Sequence, residues 1–251
     1  MLTRSSLVLL VMLFLVSCTT EEEVRHIQVN IPSADMETKY IWRTIQDISF
    51  FETHNYQVSL PSGGIIETLK ENAKSGSLIE DDYEKLKKFI EDSVYNRSEY
   101  QKGYQKLMKE LNTMEKAINE VDTSDFNWSF KTFDTYTVNL TLYGPGGSYD
   151  PDAGSILLFT TPDGGFKSYK NPVNTIIHEI VHIGIEKSIV QKYNAPHPMK
   201  ERIVDHFVSL NFKEYLPDYQ MQNMSYTQID EYLKNKSDFR DLDQIVEKLV
   251  N

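Results

Sequence analysis

Apolar positions along the chain fall into two periodicities that change over near residue 126. Tyr83, Leu86, Phe89, Ile90 and Val94 share one helical face with Lys and Glu opposite. Tyr104, Leu107, Leu111, Met114 and Ile118 form a second stripe. Both predict amphipathic helices, one from about residue 80 and one over 99–121. A shorter helix is expected from Ile65 to Lys74, between the turn Pro61-Ser-Gly-Gly64 and the stop Ser75-Gly76. Ile41 to Phe51 is apolar but fits neither period.

Beyond residue 126 the period becomes two. Phe126, Trp128 and Phe130 alternate, as do Val138, Leu140 and Leu142 with Thr and Asn between them. These, Ser155–Thr160 and the partly alternating Val24–Ile31 predict strands. Tyr143–Pro151 is a glycine-rich loop without the spacing of a phosphate loop. Ser225–Leu233 predicts a short helix and Leu242–Val250 a last amphipathic one. The fold class that follows is α+β. A largely helical N-terminal region (24–125) precedes a region (126–251) with a small, mainly antiparallel sheet beside a pair of helices.

That pair carries the chemistry. Asn171 is a good N-cap and Pro172 suits the first helical position. The helix they start is apolar on most sides (Ile176, Ile177, Ile180, Val181, Ile183, Ile185), so it belongs in the interior. Within it lie His178, Glu179 and His182, polar groups that burial obliges to find partners. Residues four apart on a helix lie about 6 Å apart along the axis and roughly 40° apart around it, so the two imidazoles can share one cation. Glu179 is turned about 100° from His178, placed to reach a water on that cation rather than the cation itself. The loop Tyr193-Asn-Ala-Pro-His-Pro198 breaks the helix and starts another, on which Glu201 and Asp205 are four apart. Glu201 is the candidate third ligand, and Asp205 can accept the second N–H of a ligating histidine. Glu186, one turn past His182, is drawn away along the axis.

His-Glu-x-x-His, eighteen residues, then Glu-x-x-x-Asp resembles the gluzincin class of zinc metallopeptidases, over residues 171–210 only. The resemblance implies one Zn²⁺ per chain on His178, His182 and Glu201, with Glu179 as general base and Asp205 behind a ligand. It implies a peptide or protein substrate, and an oxyanion donor from outside the two helices, for which Tyr215, Tyr219, Tyr149 and His197 are candidates. The metzincin pattern fails, because Gly184 is one position early and Ser188 stands where its last histidine belongs.

Location is written at the start. Met1-Leu-Thr-Arg4, an apolar run from Leu7 to Val16 and Leu15-Val-Ser-Cys18 read as a signal peptide ending in a bacterial lipoprotein box. Residues 1–17 are then a signal peptide, Cys18 the lipidated residue and 18–23 an acidic tether. The chain is expected on the bacterial cell envelope, at the outer membrane or cell surface, attached to the membrane by that lipid. Cys18 is the single cysteine, so the mature chain has no disulfide and no thiolate ligand. A net charge of −11 argues against nucleic acid as a partner. The alternative to a peptidase is a surface-binding lipoprotein that holds a metal without turnover; such a protein has no need of Glu179.

Overall fold

The computed structural model describes residues 24–167, 171–223 and 225–250. Residues 1–23, where the signal peptide, the lipidated Cys18 and the acidic tether are expected, lie outside them. Among the described residues no helix is long and apolar enough to cross a membrane.

The chain runs β1 (His26–Asn30), α1 (Ala34–Gln46), α2 (Ile48–Thr53), α3 (Gly64–Ser75), α4 (Glu80–Phe89) and α5 (Gln101–Asn119). It continues through β2 (Thr135–Thr141), β3 (Ser148–Asp150), β4 (Ser155–Phe159), α6 (Pro172–Ile185), α7 (His197–Asn211) and α8 (Leu242–Val250). The α+β class agrees with the sequence reading, as do the helices expected near 65–74, 80–94, 99–121 and 242–250. The ambiguous stretch 41–51 is helical, in α1 and α2. The short helix expected at 225–233 is a 3₁₀ turn over Thr227–Glu231.

The four strands form one sheet in the order β1-β2-β4-β3. Its direction corrects the expectation: β1 with β2 and β2 with β4 are parallel, and only β3 with β4 is antiparallel. The chain leaving β2 passes through the glycine-rich loop to the outer edge, descends as β3, and returns as β4 into the slot left beside β2. The alternating stretch Phe126–Phe130 is also not a strand. Its rings are spent on helices: Phe130 stacks on Phe207 at 5.4 Å and Trp128 Nε1 donates to the Phe239 carbonyl at 2.7 Å. Phe130 lies against Gly184 so closely that a Cβ there would come within 2.0 Å of its ring. The adjoining Lys131 N–H takes the Gly184 carbonyl at 2.9 Å.

The main core joins both regions, with Ile27, Leu107 and Met114 buried beside Val138, Ile156, Ile176, Ile180 and Phe207. A second cluster, Ile41, Ile45, Ile66, Leu69, Leu86 and Ile90, ties α1 to α3 and α4. Every residue of α6 is buried, as its apolar periphery requires. Asn171 caps it, its side chain accepting the Val173 N–H at 3.0 Å, and Pro172 follows. After α6 the chain makes a π-helical turn over Glu186–Gln191, and α7 then packs back along α6.

Candidate metal centre

Three buried donor atoms converge between α6 and α7. His178 Nε2 and His182 Nε2 are 3.0 Å apart, and each lies 3.3 Å from Glu201 Oε2. A tetrahedral ion with ligands about 2.0–2.2 Å away separates them by roughly 3.3–3.6 Å, so this triangle closes around a single cation with little adjustment. Two imidazole nitrogens and a carboxylate oxygen are a donor set that can hold a metal ion.

The electrostatics point the same way. Burial pulls the His178 pKa down, but contact with Glu201 and the charges of Glu179, Glu201 and Asp205 more than offset it, and the net direction is up. Burial also opposes ionisation of Glu201, yet its hydrogen bonds to the two histidines hold it far below the carboxylate range. His182 is pushed down to about 4, chiefly by burial. Glu201 is thus held charged beside two buried imidazoles, of which His182 is held neutral.

His178 is oriented by a relay. Its Nδ1–H donates to the Tyr219 hydroxyl at 2.7 Å, and that hydroxyl donates to Asp205 Oδ1 at 2.6 Å. This fixes the tautomer that leaves Nε2 free to ligate. Asp205 thus reaches His178 through Tyr219; its direct separation from Nδ1 is 3.6 Å. His182 is oriented differently, by the Tyr149 ring lying parallel to it at 4.9 Å. Its Nδ1 has no hydrogen-bond partner among the described residues.

Glu179 is outside the triad but beside it, 8% exposed, on the wall of a cleft of about 630 Å³ that also opens onto His178, His182 and Glu201. Burial is the main cause that raises its pKa to about 7. The opposite wall is the glycine-rich loop and β3. Gly147 comes so near that a Cβ there would lie 2.8 Å from Glu179 Oε1.

The sequence candidates for an oxyanion donor are placed apart. Tyr149 is committed to ring stacking, its hydroxyl donating to Glu186 Oε2 at 2.7 Å, which also accounts for Glu186. Tyr219 is in the relay. Tyr215 does not line the cleft; its hydroxyl donates to Glu120 at 2.5 Å. His197 lines the cleft with its side chain 56% exposed, Nδ1 3.5 Å from Glu201 Oε1. His206 turns away to Asp230 at 2.8 Å. One residue missed in the sequence sits over the triad. Gln222 Nε2 lies 3.1 Å from Glu201 Oε2 and 3.4 Å from His178 Nε2. It belongs to an aperiodic stretch after Pro217, where no spacing marks it.

Comparison with known proteins finds no matching family model, no matching curated protein and no matching solved structure.

Proposed function

We propose that the chain is a zinc-dependent peptidase of the gluzincin type, held at the bacterial envelope by lipid on Cys18. The observation that carries this reading is Glu179: a buried carboxylate beside the donor triad, facing the same cleft, without being one of its donors. His178, His182 and Glu201 would hold the ion. When bound, Zn²⁺ acts as a Lewis acid and lowers the pKa of a coordinated water toward neutrality.

The chain's own groups supply the rest. Glu179 accepts a proton from the attacking water as the water oxygen bonds to the scissile carbonyl carbon. It then delivers that proton to the leaving nitrogen as the C–N bond breaks, so the carboxylate is regenerated. Burial raises its pKa, which makes the carboxylate a stronger proton acceptor. β3 stands at the sheet edge, and its Ser148 and Tyr149 line the cleft. An extended peptide can pair with such an edge by its main chain.

The test is Glu179→Gln in the mature protein, with zinc content measured beside cleavage of a random peptide library. The variant is expected to keep stoichiometric zinc and lose on the order of 10²–10⁴-fold in hydrolysis. A variant that keeps both refutes the assignment of the base. A wild type that holds zinc and cleaves nothing favours the binding lipoprotein instead. Mass spectrometry of the mature N-terminus checks the anchor: Cys18 is expected to be the first residue and to carry the acyl groups.

A further inference from the structure

We infer that Gln222 is the oxyanion donor of this site, an inference that rests on the peptidase reading above. As water adds to the carbonyl carbon, the carbonyl oxygen takes the π electron pair and becomes negative. The Gln222 side-chain N–H donates a hydrogen bond to that oxygen until the C–N bond breaks and the C=O bond re-forms.

Three observations lead here. First, the amide nitrogen is 3.1 Å and 3.4 Å from two of the three donor atoms, on the cleft side of the triad. Neither Tyr215 nor Tyr219 offers the cleft a comparable donor, and the Tyr149 hydroxyl faces Glu186 and Lys200. Second, Gln222 is fixed at its backbone. Its N–H donates to Asp205 Oδ2 at 2.6 Å, and its carbonyl accepts from Arg202 Nη1 at 3.4 Å. Arg202 is itself clamped on Asp230, through Nε at 2.7 Å and Nη2 at 2.5 Å. A donor held this way is preorganised, which is what makes such groups effective. Third, the amide carries two N–H groups. One can remain on Glu201 while the other meets substrate, and neither titrates.

The experiment compares wild type with Gln222→Ala and Gln222→Met, the second keeping side-chain length without a donor. All are loaded with zinc and assayed for kcat, KM, zinc content and affinity for a phosphinic peptide, whose tetrahedral anionic centre imitates the charged oxygen. Both variants are expected to keep zinc and KM, to lose roughly 10²–10³-fold in kcat, and to lose phosphinic-peptide affinity by a similar factor. Unchanged kcat with unchanged phosphinic-peptide affinity overturns the inference, and so does loss of zinc, which would make Gln222 a ligand. A wild type that cleaves no library peptide is the separate failure of the peptidase reading. Retained phosphinic-peptide affinity in Gln222→Met would then overturn the donor role as well, and a loss would support it.

Discussion

Glu37 offers a test of the fold's electrostatics that does not involve the metal centre. It is fully buried in α1, where Oε1 accepts the Leu142 N–H at 2.9 Å and the Thr141 hydroxyl at 3.1 Å. Oε2 has no well-formed hydrogen bond. Burial raises its pKa from 4.5 to about 7, with Leu142, Tyr100 and Thr141 pulling weakly the other way. Below pH 4.5 the group is protonated folded or unfolded and costs nothing. Above pH 7 it is charged in both states, and the folded state bears the desolvation. In between, the folded chain holds a proton that the unfolded chain has lost, so stability falls as pH rises. At about 1.4 kcal/mol per pKa unit the whole shift is worth about 3 kcal/mol.

Glu37→Gln keeps the shape and the acceptor and removes the charge. The variant's stability relative to wild type is therefore expected to climb by about 3 kcal/mol between pH 4.5 and a pH above 7. Urea unfolding of both proteins in chelator, across that window, measures it. Glu179 and Asp205 also have raised pKa values, but they are present in both proteins and cancel in the difference. A difference that stays flat with pH refutes the buried-charge argument, provided the two proteins unfold with the same denaturant dependence.

Two further predictions concern how the site is held. Tyr219→Phe removes the acceptor for His178 and the donor to Asp205; it is expected to weaken zinc binding by roughly 10–100-fold in a chelator competition, and unchanged affinity would mean that Asp205 closes the 3.6 Å gap to His178 directly. Gly147→Ala puts a methyl 2.8 Å from Glu179 Oε1 and 3.0 Å from Thr175 Cγ2, so the Glu179 carboxylate must move; on the proposed peptidase reading a fall in kcat approaching 10²-fold is expected with zinc content unchanged, because small misplacements of a reacting group cost that much.

What could be read in the sequence was whatever periodicity enforces. The cap at Asn171, the buried α6 and the return of α7 each follow from local signals, and they bring His178, His182 and Glu201 together. Sheet direction was not legible, because pairing order depends on which slot a strand takes, and the short links around β3 allow either choice. The Phe126–Phe130 alternation misled because aromatic rings satisfy burial against α6 and α7 without needing strand pairing. Glu37 left one trace: it stands four before Ile41 and eight before Ile45, on the stripe that became the buried face of α1. A carboxylate on such a stripe has to find buried donors, and here they come from Thr141 and Leu142, more than a hundred residues away.

The segment after α7 explains why the Glu-x-x-x-Asp spacing was informative without being sufficient. On α7, Glu201 faces the triad, while Asp205, one turn on, grips Tyr219 and the Gln222 backbone. Arg202 holds the same segment from the other side through the Gln222 carbonyl. The helix that carries Glu201 therefore also positions the stretch that orients His178 and carries the amide over the triad. Asp205 is worth burying, despite the burial that raises its pKa, because it satisfies a hydroxyl and a backbone N–H at once. A direct carboxylate–histidine contact through Oδ1 would orient the ring equally well, but it would not tie Tyr219 between Asp205 and His178. Interposing Tyr219 lets one carboxylate set the imidazole and the wall of the cleft together.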